Sequence, residues 1–214
     1  MADILDYRKE YKDYYSPKTE PSIIKIPKIS FAAVNGKGDP NEPDGEYQAA
    51  IKVLYGIQYT IKMSKKGSSV PHGYFDYVVP PLEGLWWTQD NKLDFNSKSG
   101  FNWVSMIRLP EYVTGGVFQW ACEEASKKKK INSEKAYLFA FTEGLCVQCM
   151  HIGPYDNEPK TLAAIDDYIN NNNLFKDITE KRRHHEIYLS DPRKAEPHKM
   201  KTVLRIPVKG KENF

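Results

Sequence analysis

"GKGDPNEPDGEYQAAI" (residues 36–51) and "HIGPYDNEPKTLAAI" (residues 151–165) are two versions of one phrase. Each runs glycine, proline, Asn-Glu-Pro and then Ala-Ala-Ile. A second echo follows in each half, "MIRLP" (106–110) and "VLRIP" (203–207). The order is the same both times, so the chain reads as a tandem duplication. Self-similarity of this kind constrains the architecture before any local reading does.

Each half reads as strand, turn, helix, strand, strand. In the first, "SIIKIPKISFAAVNGKG" is extended, and a helix follows with Ala50, Ile51, Leu54, Ile57 and Ile61 as its apolar stripe. "YFDYVVP" and, after "LEGLWW", "FNWVSMIRL" are the next strands. Pro110 opens a linking helix with Val113, Val117, Trp120, Ala121 and Ala125 on its buried side. In the second half "KAYLFAF" and "LCVQCMHIG" read as two strands joined at Thr142-Glu143-Gly144. Asp156 or Asn157 caps a helix that buries Leu162, Ile165 and Ile169, and "HHEIYLS" and "KTVLRIPV" complete the half. The expectation is an α+β fold, with the duplicated units forming a pseudo-two-fold antiparallel sheet. Helices cover one face, and a ligand cleft lies between the halves. We expect one domain over residues 1–214: a first repeat at about 20–110, a linking helix at about 110–130 and a second repeat at about 135–209.

Composition narrows the function. A chain of 214 residues with 40% apolar residues, 14 Tyr, 9 Phe and 4 Trp supplies a large core and material for a flat-ligand pocket. A net charge of +3, well mixed, gives no nucleic-acid surface, and the run Lys127–Lys130 complements a helix C-terminus. Cys122, Cys146 and Cys149 form no disulfide framework. The C-x-x-C pair lies in a strand pattern without the helix start of a redox site, so buried thiols in a reducing cytoplasm are expected. No apolar run is long enough to cross a bilayer. His151, His184 and His185 lack a third ligand at zinc-like spacing, so no metal or other cofactor is expected. The Asn-Glu-Pro pieces read as helix openings, with Glu42 and Glu158 as dipole partners.

In "HHEIYLSDPRK" (184–194), alternation puts His184, Glu186 and Tyr188 on one strand face. Ile187 and Leu189 occupy the other, where they should pack under the helices. From this pattern alone a strand glutamate most often faces water.

Taken together, "YYSPKTEPSIIKIPKISFAAVNGKGDPNEP", "VPPLEGLWW", "MIRLPEYVT", "HIGPYDNEP" and "EIYLSDPRK...KTVLRIPV" resemble the GyrI-like small-molecule-binding family over almost the whole chain. The likeness is to stand-alone members without a helix-turn-helix, among them the cyclopropanoid cyclopropyl hydrolases. These open the strained ring of DNA-alkylating natural products of the yatakemycin and duocarmycin type. The resemblance implies that Glu186 lies in an aromatic pocket on the concave face away from the helices. There, desolvation would raise its pKa toward that of a general base. Asp76 would be its pseudo-symmetric counterpart. Tyr137 would meet the developing phenolate, with Trp86, Trp103, Phe139, Phe141 and Tyr188 around the ligand, although the row Tyr137, Phe139 and Phe141, and Trp103 as well, read equally as core packing. Trp86 and Trp87 point to opposite sides, so only one of them can line the cleft directly. The implied partner is a planar aromatic small molecule, with neither nucleic acid nor membrane. A non-catalytic binder that sequesters such drugs would use the same pocket.

Overall fold

The computed structural model describes residues 4–67, 70–89 and 98–210. Its helices are α1 (Tyr7–Glu10), α2 (Lys12–Tyr15), α3 (Glu46–Met63), α4 (Gly115–Lys129) and α5 (Glu158–Asn171). Its strands are β1 (Ser22–Lys37), β2 (Leu82–Trp87), β3 (Asn102–Arg108), β4 (Ala136–Ile152), β5 (Leu174–Lys176), β6 (His184–Tyr188) and β7 (Lys201–Gly210). All strand pairings are antiparallel, in the order β4-β1-β3-β2-β6-β7-β5. An additional β4–β7 pairing closes the sheet into a barrel.

Two strands differ from expectation. Residues 136–152 form one strand, because β1 pairs with it in a single register from Val34↔Ala136 to Ser22↔Gln148, skipping only Pro27 opposite Glu143. Gly144 takes a φ of 76° inside it and bends the chain without reversing it. "YFDYVVP" contributes only the bridge between Tyr77 and Leu5, and the paired strand is "LEGLWW" itself. The helix openings also shift. α3 starts at Glu46 after Gly45, beyond Asn41-Glu42-Pro43, and Asn157 at the start of α5 makes no side-chain cap.

The helix stripes pack as the 3.6-residue period dictates. Ala50, Leu54, Ile57 and Ile61 of α3 are buried, as are Ile165 and Ile169 of α5. Thr114 caps α4 by accepting from the Val117 N–H at 3.3 Å.

The registers expose the pseudo-two-fold axis. In the repeated pentapeptides Ile107 corresponds to Leu204. Ile107 pairs with Leu82, and Leu204 pairs with Glu186. Leu82 and Glu186 are therefore symmetry mates, and by the same step Gly84 and Tyr188 are. The pairs Leu82↔Tyr188 and Gly84↔Glu186 between β2 and β6 interchange under the rotation.

Asp76 is consequently not the counterpart of Glu186. It sits outside the strands, 2.9 Å from the Lys62 ammonium and also paired with Lys65. Burial opposes its charge, but the two lysines prevail and hold its pKa near 2. Asp76 fastens the end of α3.

Candidate active site

The face of the sheet that carries Glu186 follows from the contacts of its neighbours. Trp86 and Trp103, paired across β2 and β3, meet Tyr47 of α3 with ring centroids 5.3 and 5.0 Å apart. Leu204, the partner of Glu186, packs with Ile165 and Ile169 of α5. The carboxylate therefore lies on the helix-covered face, between α3 and α5. This reverses the expectation that Glu186 faces away from the helices. Ile187 instead points into the closed sheet, toward the N-terminal helices.

Between the two helices lies a cavity of about 650 Å³. Glu186, Tyr188 and Leu82 form part of its floor, and Tyr47, Trp86, Phe101 and Tyr155 form aromatic walls. Glu186 is only 7% exposed. Its Oε2 accepts from the Tyr188 hydroxyl at 2.7 Å, and its Oε1 lies 3.0 Å from His184 Nε2. The Tyr188 oxygen in turn accepts from Trp86 Nε1–H at 2.8 Å. Gly84 makes this chain possible. A Cβ there would stand 2.6 Å from Trp86 Nε1 and 3.1 Å from the Tyr188 oxygen, so the hydrogen bonds run over a position that must lack a side chain.

The tyrosines of the cavity are donors at neutral pH. Burial, the nearby Glu186 carboxylate and Tyr47 push the Tyr188 pKa far up. Burial, followed by Glu158 and Glu186, raises that of Tyr155 to about 12. Glu158, read from sequence as a dipole partner, is buried at the start of α5 and brings a second carboxyl group to the cavity wall. No spacing in the sequence reported this, because a helix-opening glutamate is ordinarily solvated. Three cations stand among the lining residues, each beside an acid: Arg8 with Asp6 at 3.3 Å, Lys52 with Asp44 at 3.6 Å and Arg193 with Asp191 at 2.9 Å.

The remaining sequence candidates lie elsewhere. Tyr137, Phe139 and Phe141 are on the opposite sheet face, because Tyr137 pairs with Ala33, Ala33 with Met106, Met106 with Glu83 and Glu83 with Ile187. They pack with Phe31, Leu85 and Met106, and the Tyr137 hydroxyl donates to Asn35. Tyr137 cannot reach a ligand beside Glu186. Trp103 is wholly buried behind Tyr47 and supports the wall without lining it. Of the adjacent tryptophans, Trp86 faces the cavity. Trp87 lies on the other face, under the Arg183 guanidinium.

Directly behind the site, the closed sheet holds a buried ionic cluster. His185 has its ring nitrogens 2.9 Å from Glu83 and 3.1 Å from Glu143, and Arg205 Nη1 lies 2.9 Å from Glu143. The His185 nitrogens are close to the carboxylates without good hydrogen-bond alignment, so charge attraction governs these contacts. Burial opposes the charge on His185, but Glu143 and Glu83 raise its pKa to about 9. Glu143 is likewise opposed by burial, yet Arg205 and His185 hold it near 2. Arg205 also donates to the Tyr14 carbonyl at 2.8 Å, and the Tyr15 hydroxyl donates to Glu83 at 3.3 Å. The N-terminal helices are thereby fastened across one opening of the barrel.

Among the described residues, no helix is long and apolar enough to cross a membrane, and no group of three or more His, Cys, Asp or Glu could hold a metal.

The chain is similar to an uncharacterized conserved protein from Listeria innocua, with 47% identity and a TM-score of 0.91 over 96% of this chain and all of that one. A hydrolase from Listeria innocua is 46% identical, with a TM-score of 0.87 over 96% of this chain and all of its own. The C-terminal domain of EcmrR, 13% identical with a TM-score of 0.52 over 89% of this chain and 98% of that one, shares the fold. No protein of curated function matches the chain. The GyrI-like small molecule binding domain matches residues 19–209, and the chain belongs to that family.

Proposed function

We propose that this protein is a hydrolase that opens the cyclopropane ring of planar, DNA-alkylating cyclopropanoid natural products of the yatakemycin and duocarmycin type. This removes the electrophile before it meets DNA. The observation that carries the reading is a buried carboxylate, Glu186, on the floor of an aromatic cavity with a donor on each oxygen. The hydrolase name of a neighbour at 46% identity supports the reaction class.

In this reading the flat substrate lies against Trp86 and Tyr47 with its ring methylene toward Glu186. Glu186 takes a proton from water as the water oxygen bonds to that methylene carbon. The bond between the methylene and the spiro carbon breaks, and its electron pair passes through the dienone to the carbonyl oxygen. That oxygen becomes a phenolate and then a phenol by taking a proton from solvent, while Glu186 gives its own proton up to solvent. Tyr155, in place of Tyr137, donates a hydrogen bond to the developing phenolate, because its raised pKa keeps it a neutral hydroxyl. The product carries a new primary alcohol and a phenol, and no cofactor enters the balance.

The test is incubation with excess cyclopropanoid, with ring-opened product followed by mass spectrometry. The wild type should consume many equivalents. Glu186→Gln should keep ligand affinity while turnover falls about 10²–10⁴-fold, the usual worth of a general base. Consumption that stops at one equivalent favours the sequestering binder. Wild-type turnover in Glu186→Gln removes the base.

A further inference from the structure

One residue holding Glu186 takes no other part in the site. His184 is 2% exposed, and no atom of it lines the cavity. Its Nε2 lies 3.0 Å from Glu186 Oε1, and its Nδ1 has no hydrogen-bond partner among the described residues. A nitrogen at that distance from a carboxylate oxygen must carry the proton, since two lone pairs would repel. The neutral ring is then the Nε2–H tautomer with a bare, buried Nδ1. Leaving a buried acceptor unmet is costly, so the ring is not there to satisfy its own polar atoms.

Strand alternation explains the geometry. His184, Glu186 and Tyr188 project from one face of β6, and Gly84 opposite Glu186 leaves the carboxylate room between its two neighbours. Tyr188 fixes Oε2 from one side and His184 fixes Oε1 from the other. A carboxylate held by one donor can still turn about its Cγ–Cδ bond, whereas one held at both oxygens presents a constant edge. The roles of His184 and Glu186 cannot be exchanged, because only Glu186 meets the cavity.

We propose that His184 is a positioning residue: as the Nε2–H tautomer it holds Glu186 Oε1 and aims the carboxylate at the attacking water. The inference rests on the ring-opening reading and adds a second residue to its machinery. It predicts a dependence on where the donor sits. A glutamine amide at position 184 reaches the place of Nε2, whereas an asparagine amide reaches only that of Nδ1. His184→Asn should lower kcat for cyclopropanoid opening about 10²-fold, the scale of a misplacement near 1 Å, with KM within about threefold. His184→Gln should recover most of that loss. A purely structural role would not separate the two amides or spare KM.

Long-range ¹H–¹⁵N spectra of the ¹⁵N-labelled wild type read the tautomer without substrate, and Nε2–H is expected. An Nδ1–H tautomer, an Asn variant with wild-type kcat, or a Gln variant as impaired as Asn would overturn the positioning role alone. A wild type that binds the cyclopropanoid without opening it would overturn the reaction and the positioning role together.

Discussion

Gly84→Ala tests whether the hydrogen-bond chain over β2 sets the site. The glycine φ lies outside the left-handed region, so alanine meets no backbone strain and the conflict is one of space. The new Cβ would stand 2.6 Å from Trp86 Nε1, closer than real contacts allow. Trp86 cannot swing away freely, because Tyr47 and Phe101 stand 5.3 and 5.8 Å from it, centroid to centroid. Crowding a packed core costs about 1–3 kcal/mol, and losing the Trp86–Tyr188 hydrogen bond about 1 kcal/mol more. The reduced freedom of the unfolded chain returns about 0.4–1 kcal/mol. The net loss is about 2 kcal/mol, or roughly 4–8 °C in Tm for a chain of this size. Function should suffer more than stability. Once Tyr188 is displaced, Glu186 Oε2 loses its donor, and ring opening should fall about 10²-fold at temperatures where the variant is fully folded. Circular-dichroism melting and single-turnover mass spectrometry measure the two effects. A variant with lowered Tm and intact turnover would show that Gly84 serves packing only and would refute the alignment argument.

Two further outcomes follow from the cavity and the cluster behind it. Tyr155→Phe should slow ring opening about 10²-fold with little change in affinity, since Tyr155 donates its hydrogen bond to the developing phenolate oxygen; unchanged kcat would remove it from the reaction. Stability should be greatest between about pH 4.5 and 6.5. His185 has a folded pKa raised to about 9, so its contribution is complete below its unfolded pKa and is lost as pH rises through 9. Glu143 has a folded pKa lowered to about 2, so its contribution is present above its unfolded value and is lost as pH falls toward 2. Each limb should slope by at most about 1.4 kcal/mol per pH unit per group, and chemical denaturation of His185→Gln should show the alkaline limb flattened.

The helices α3, α4 and α5 are legible in the sequence because each buries one stripe, and Leu54, Ile57, Ile165 and Ile169 recur at the helical period, whereas the four-residue α1 and α2 are too short to show one. Glu186 was brought into a pocket by family likeness. Strand alternation alone could not say which way it points, because β6 is buried on both faces. His184 and Glu186 are as enclosed as His185 and Ile187. In an open sheet, apolar residues mark the helix side. In this closed one the interior carries Glu83, Glu143, His185 and Arg205, so polarity no longer reports the face. The misplacement of Tyr137, Phe139 and Phe141 has the same cause, since their row faces the barrel interior. "LEGLWW" is a paired strand although glycine ordinarily weakens one, because the glycine is there to let other side chains cross it.

The duplication accounts for a single carboxylate at the two-fold floor. The axis exchanges Glu186 with Leu82 and Tyr188 with Gly84, so two like halves present unlike pairs to one cavity. Had both halves kept the acid, two carboxylates would face each other near the axis, and each would disfavour ionisation of the other. Had both kept the tyrosine, the ring at position 84 would occupy the space through which Trp86 reaches Tyr188. One half presents an apolar floor residue, Leu82, and an empty position, Gly84, and the hydrogen bonds that hold the other half's carboxylate cross that empty position. In the proposed reading the asymmetry would also orient a flat ligand, since Leu82 and Glu186, which the axis exchanges, offer it unlike floor contacts. A two-fold symmetric pocket would accept the same molecule in two opposed directions, and only one of them could bring the strained carbon to the base.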